Sequence, residues 1–188
     1  MKSILFIGND PLQKEFGSVV RKRVNDYFKE KGISTKGNTA MFIKAIVMLS
    51  IYIAPFVILL SMQIGMGLAL VMVILIGIGE AGIGMCVMHD AAHGSFSKKQ
   101  WVNDIFASTM YLLGSNTFNW KIQHNLWHHT FTNIYGFDAD IDTKGIIRLC
   151  QHAPRKKYHR FQHLYAFPFY GLMTLSKLVT DFGQLIKF

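Results

Sequence analysis

Five of the eight histidines in this 188-residue chain fall into two tight clusters. The first is His89-Asp90-Ala91-Ala92-His93, and the second is His124-Asn125-Leu126-Trp127-His128-His129. Imidazole is the commonest nitrogen donor to iron, zinc and copper. On a helix, residues four apart lie one turn apart on one face, so His89 and His93 aim two rings at one point. His124 and His128 repeat the arrangement, and His129 adds a ring rotated by about 100°. Five nitrogens exceed the three or four that one catalytic zinc takes, so a two-metal site fits the count better. Imidazole-rich ligation with open positions suits non-haem iron that activates oxygen. Asp90 and Asn125 stand beside ligand positions and are candidates to orient imidazole N–H groups.

The other histidines are read differently. A lone histidine is more often a hydrogen-bonded structural residue, and His152 and His159 are taken that way. His163, at the mouth of a later apolar stretch, is a sixth candidate ligand ranked behind the five. For the clusters a purely structural role is costly. Several unpaired imidazoles crowded at the mouth of a bilayer span lack partners unless a metal supplies them.

The elements that must position these rings are apolar. Hydrophobic residues make up 51% of the chain and charged residues 16%, against about 25% charged in ordinary globular chains. The net charge of +9 does not point to nucleic acid, because the positive residues flank apolar spans, as in cytoplasmic membrane margins. Cys86 and Cys150 make neither a disulfide framework nor a CxxC knuckle. The polar N-terminal stretch does not resemble a cleavable signal peptide.

Residues 1–40 read as a cytosolic basic arm. Phe16, Val20, Val24, Tyr27 and Phe28 recur at helical spacing among Arg21, Lys22, Arg23, Lys29 and Lys31. Such a helix lies on a membrane surface or packs by its aromatic face on the rest of the protein, and the two are compatible. Gly32 to Asn38 then interrupts it. A first span is expected over about 45–64, with Pro55 inside, and a second over 66–88, rich in Gly and Ala. They form a hairpin whose outer ends share one side. Lys and Arg flank those ends and not the connecting turn, which puts the N-terminus and the histidine clusters in the cytoplasm. Glu80 within the second span is an expensive residue that faces a cavity or is a tolerated substitution.

Trp101 to Phe118 reads as an interfacial or half-inserted helix. Trp120 and Trp127 either line the site or anchor at the headgroup level. Residues 133–148 form a polar loop whose Asp138, Asp140 and Asp142 are read first as solvated and second as orienting ligands. A further span starts over about 165–180 and runs into Asp181. The chain is thus expected to be an all-α integral membrane helical bundle, with residues 41–188 as one domain and the metal site at its cytoplasmic mouth.

At these residues the chain resembles the membrane-bound fatty acid desaturases. The run from Val87 to Ser97 is similar to their first histidine box, and Trp120 to Thr130 is similar to the second in its HxxxHH form. Thr132-Asn133-Ile134, the acidic run Asp138 to Asp142, and His159 to Tyr165 resemble the acyl-CoA (linoleoyl-CoA type) branch, and the likeness extends from about Val19 onward. The resemblance implies a cytoplasmic di-iron centre with His89, His93, His124, His128 and His129 among its ligands. It implies O2-dependent insertion of a cis double bond into the acyl chain of an acyl-CoA or a phospholipid. Electrons would come from cytochrome b5 or a ferredoxin, as a separate protein, since the HPGG haem motif is absent. The family also carries a third box, HxxHH or QxxHH, far downstream. The chain lacks one and is read as an N-terminal portion whose site would be incomplete. Three alternatives remain at this point: a histidine-box lipid hydroxylase, a bis-histidine haem electron carrier, and a non-catalytic truncated remnant.

Overall fold

The computed structural model of the chain describes residues 11–138 and 140–186, and every regular element among them is helical. Helix α1, Pro11–Glu30, opens on a proline, whose missing N–H is not needed in a first turn. None of its residues is buried, and Phe16, Val20 and Val24 face outward. Packing of this stripe on the rest of the protein is therefore not seen among the described residues. The first ten residues of the expected arm lie outside them.

Helix α2, Thr39–Ser61, starts six residues before the apolar run suggested. Its cap is the reason: the Asn38 side chain accepts the Met41 N–H at 3.2 Å, which satisfies an otherwise orphan donor of the first turn. Pro55 sits inside the helix without dividing it. Helix α3, Met66–Gly82, runs on through a π-helical turn, Ile83–Met88, into the short helix α4, His89–Ala92. The stretches Thr39–Ser61 and Met66–Ala92 are each long and apolar enough to cross a membrane.

α2 and α3 pack as a hairpin held by close backbone approach. A Cβ added at Gly79 would lie 2.7 Å from the Tyr52 nitrogen, and one at Gly82 would strike the Met48 sulfur. Small residues permit such contact where lipid supplies no hydrophobic drive between helices. The Tyr52 hydroxyl donates to the Leu112 carbonyl at 2.9 Å, which fastens this pair to the next element. Glu80 is half-buried beside Gly79, at the level of that contact.

Beyond the first histidine cluster the chain folds back over an aromatic core. Phe96 is fully buried, stacked on Phe106 with centroids 4.3 Å apart and edge-on to Phe42 at 4.8 Å. Buried Asn103 clamps the same loop: its amide donates to the Ser97 carbonyl at 2.9 Å and its oxygen accepts the Ser97 N–H at 2.8 Å. It belongs to α5, Gln100–Ser108, which tightens into a 3-10 turn, Thr109–Leu113, and stops at Gly114. The helix expected to reach Phe118 thus ends earlier. Asn116 starts a new one, α6, Thr117–Trp120, by accepting the Phe118 N–H.

A second π-helical stretch, Lys121–His128, leads into α7, His129–Phe131. A loop and a 3-10 turn, Lys157–Phe161, precede α8, Gln162–Gly171, and α9, Met173–Leu185. The further span expected over 165–180 is thus two helices that break at Leu172. Pro168 lies inside α8, which continues past it to Gly171.

The α2–α3 contact can be tested by adding one methyl. Gly79→Ala is expected to force the helices apart and destabilise the protein by about 1–3 kcal/mol. Gly77→Ala, whose new methyl meets nothing within 4 Å, is the neutral control. Thermal unfolding of both variants in detergent, followed by circular dichroism, reads the difference.

Candidate metal centre

The first cluster sits where α4 ends. Gly94, at φ +66°, closes the helix: its N–H donates to the Ala91 carbonyl at 2.8 Å and the Ser95 N–H to the Asp90 carbonyl at 3.0 Å. This crossed pair of bonds is a Schellman stop, and it makes His93 the cap that follows Ala92, the last residue of the helix. The ring centroids of His89 and His93 are 4.6 Å apart. Asp90 faces His89 Nδ1 at 3.2 Å.

The second cluster is carried by the π-helical stretch rather than by the regular α-helix assumed from spacing. Wider π turns recur at functional sites. His124 and His128 lie nearly parallel, with centroids 5.0 Å apart and planes 15° apart. The two clusters meet. His93 Nε2 and His129 Nε2 are 3.3 Å apart, and the His89 and His124 centroids are separated by 5.2 Å. The Asn125 amide reaches the Ala92 carbonyl at 3.4 Å rather than an imidazole, so it ties the two stretches together instead of orienting a ring.

Carboxylates aim the second set of rings. Asp138 is fully buried, 3.0 Å from His128 Nδ1, and its oxygens accept the N–H groups of Asn133 and Asp140 at 2.7 and 2.9 Å. Burial would raise its pKa, but the Asn133 amide, the His128 ring and the Asp140 amide outweigh burial and hold it below the ordinary value. It therefore stays ionised and keeps the proton on His128 Nδ1, which leaves Nε2 free as a ligand. Asp140 Oδ2 lies 3.3 Å from His128 Nδ1 and 3.6 Å from His124 Nδ1. Asp142 instead pairs with Lys144 at 2.7 Å, facing away from the rings. The loop expected first as solvated therefore divides: two of its acids face the imidazoles.

Two sets of donor atoms lie mutually within 4.8 Å: those of His89, His93 and His124, and those of His124, His128 and Asp140. Their chemistry fits metal ions. Nitrogens bound side by side at about 2.1 Å from one ion stand about 3 Å apart, close to the 3.3 Å between the His93 and His129 nitrogens. Moreover, His124 Nε2 is buried without a hydrogen-bond partner, a cost that a metal ligand removes. The His124 pKa is pushed down to about 4, first by burial and then, against Asp140, by His89, His129 and His128. At neutral pH that ring is thus already in its ligating form. Ring centroids only 4.6 to 5.5 Å apart leave no gap between these imidazoles for a haem plane.

Trp120 proves to be a wall of the site, stacked on His124 at 4.4 Å, whereas Trp127 stacks on Phe131 away from it. His163 is exposed and belongs to neither donor set. His159 is held by the backbone, as a structural residue, and His152 is exposed beside Gln151. Asp181 was not anticipated as a support. It is buried in α9, where its carboxylate accepts from the Ser115 hydroxyl at 2.8 Å and the Asn116 N–H at 2.9 Å. Its carbonyl also takes the Asn119 amide at 3.3 Å, so α9 secures the start of the helix that carries the second cluster.

Comparison with known proteins agrees with this geometry. Residues 65–187 match the fatty acid desaturase family. The chain is 30% identical over 174 residues to an acyl-lipid (8-3)-desaturase of Physcomitrium patens, covering 92% of this chain and 36% of that protein. It is 31% identical over 171 residues to an sn-1 linoleoyl-lipid 6-desaturase of Arthrospira platensis, covering 91% and 46%. A protein of that same name from Synechocystis is 28% identical over 178 residues, covering 92% and 50%. The chain thus spans half or less of the length of these relatives. No solved structure matches it.

Two measurements probe the centre. Asp138→Asn is expected to weaken cobalt(II) binding about 10- to 100-fold, because His128 loses its orienting carboxylate; anaerobic titration of the purified chain checks this. The second is pH dependence without metal. Unfolded His124 takes up a proton near pH 6.5, whereas the folded ring resists until about 4. The stability due to its neutral form is therefore complete above pH 6.5 and lost as pH falls toward 4. Chemical denaturation across that range should show a shallower decline in His124→Gln.

Proposed function

Because this chain belongs to the fatty acid desaturase family, we propose that it carries the first two histidine boxes of a membrane-bound enzyme that uses O2 to insert a cis double bond into an acyl chain. The observation that carries this reading is the junction of the boxes: His93 and His129, 36 residues apart, bring ring nitrogens to 3.3 Å. The named relatives act on lipid-bound acyl groups, and we take an acyl-lipid as substrate in preference to the acyl-CoA suggested by the motif resemblance. Cytochrome b5 or a ferredoxin is the proposed electron donor.

His89, His93, His124, His128 and His129 would hold two iron ions, while Asp140 stands at the Nδ1 atoms of His124 and His128. Bound iron supplies the reactivity toward O2 that an unactivated methylene demands, since such a C–H bond offers nothing to acids or bases. The chain's own residues do the rest. Asp90 and Asp138 fix Nδ1 of His89 and His128, so that the opposite nitrogens point into the centre. Trp120 stacks on His124 and covers one side of that ring. The apolar faces of α2 and α3 offer walls for an acyl chain. The site lies at the cytoplasmic margin of the bilayer, with α1 resting on the leaflet through its exposed apolar stripe and basic flanks.

The test uses the intact membrane protein in lipid extract with O2 and a reducing partner, and reads acyl products by mass spectrometry. New double bonds are expected, with a drop of at least about 100-fold in His93→Ala and in His128→Ala. Hydroxylated products would favour the lipid hydroxylase instead. Undiminished unsaturation in both variants would remove the metal centre from the reaction.

A further inference from the structure

Downstream of the two acids that face the imidazoles, residues 141–159 fold around a cavity of about 210 Å³ that the proposed chemistry does not use. Its charged lining is Asp142, Lys144, Arg148 and Lys156. Lys144 is neutralised by Asp142 at 2.7 Å. Arg148 is fixed by carbonyls rather than by a carboxylate: Nε donates to Ala153 at 2.8 Å, and Nη2 donates to Gln151. A guanidinium has five N–H donors, so three remain. The Lys156 amine packs over Gly145, 3.0 Å from where a Cβ would stand, and 5.7 Å from the Tyr158 ring. None of the ion pairs among the described residues involves Arg148 or Lys156. His159 props the wall as a neutral ring: Nδ1 accepts the Lys156 N–H at 3.1 Å and Nε2 donates to the Gly145 carbonyl at 2.9 Å.

An apolar groove of about 300 Å³ adjoins this cavity, lined by Ile146, Tyr158, Tyr165 and Phe169. Both tyrosine hydroxyls are spent on the loop backbone. Tyr158 donates to Gly145 at 2.6 Å and Tyr165 to Ile146 at 2.9 Å, so the rings present apolar faces to the groove. Gly145 lines the cavity, and the next residue, Ile146, lines the groove. We propose that together they form a seat for a phospholipid headgroup, with the phosphodiester between Arg148 and Lys156 and the glycerol and upper acyl carbons along the aromatic groove. A guanidinium and an amine that line one cavity are a donor set that phosphate oxygens select, and neither has a carboxylate partner among the described residues. The groove selects an amphiphile over a soluble phosphate. This inference rests on reading the chain as acting on lipid-bound acyl groups, and it names the carrier. Asp140, at the rings, is followed directly by Ile141 and Asp142 of the cavity wall, so the seat stands next to the metal centre along the chain.

Calorimetric titration of the full chain in dodecyl maltoside tests the seat. The probes are dihexanoyl-phosphatidylglycerol, the uncharged dihexanoyl-glycerol galactoside, coenzyme A and inorganic phosphate. Only the phospholipid should bind well, with affinity about tenfold lower in Lys156→Gln and also reduced in the milder Arg148→Lys. Equal binding of the galactoside would overturn a charge-selecting seat. Equal binding of coenzyme A or inorganic phosphate would overturn the role of the groove. Affinity unchanged in both variants would overturn the site. His93→Ala should bind the phospholipid normally. Lipid binding without double-bond formation by the intact membrane protein would count against the proposed reaction alone, and double-bond formation without selective lipid binding against the seat alone.

Discussion

Five imidazoles can share a space a few ångströms across only if each is told where to point. Charged, they would repel; neutral and unaimed, they would bury lone pairs against one another. Everything around the rings answers that constraint. Burial keeps His124 neutral. Asp138, itself held ionised by two backbone amides, fixes the tautomer of His128. The α4 stop at Gly94 places His93 at the very end of its helix, where its ring can reach across to His129. The aromatic packing of Phe96 on Phe42 and Phe106 then locks the loop that follows, so the first cluster is set on a rigid floor.

Much of this was legible in the residues. The spacing of the histidines fixed which rings would cooperate, and the resemblance to the desaturases on those same runs agrees with the family match over residues 65–187. Asp90 was legible because its partner is adjacent in sequence. What stayed hidden depends on distance along the chain or on backbone detail. A four-residue spacing looks alike on an α-helix and on the π-helical stretch that carries His124 and His128. Asn125 stands next to a ligand yet bonds Ala92, because its amide points to the neighbouring stretch. Asp138 and Asp142 are chemically identical in the sequence; only the fold of the loop sends one to His128 and the other to Lys144.

Boundaries followed the same logic. The apolar run alone put the start of the first span at residue 45, whereas the cap chemistry of Asn38 begins the helix at Thr39. Hydropathy also merged α8 and α9 into one stretch, because the residues around the break after Gly171 are themselves apolar. Glycine meant different things at different places. At Gly79 the missing side chain lets two backbones touch, and at Gly145 it makes room for a lysine amine.

The bonds made by Asp181 carry a consequence for how the protein is made. Ser115, Asn116 and Asn119 find their partners on a residue more than sixty positions later. During synthesis, His124, His128 and His129 leave the ribosome well before the carboxylate that steadies the base of their helix. The nascent chain thus holds its ligands in an unfinished frame, and assembly of the second box is coupled to the delivery of α9 into the bundle.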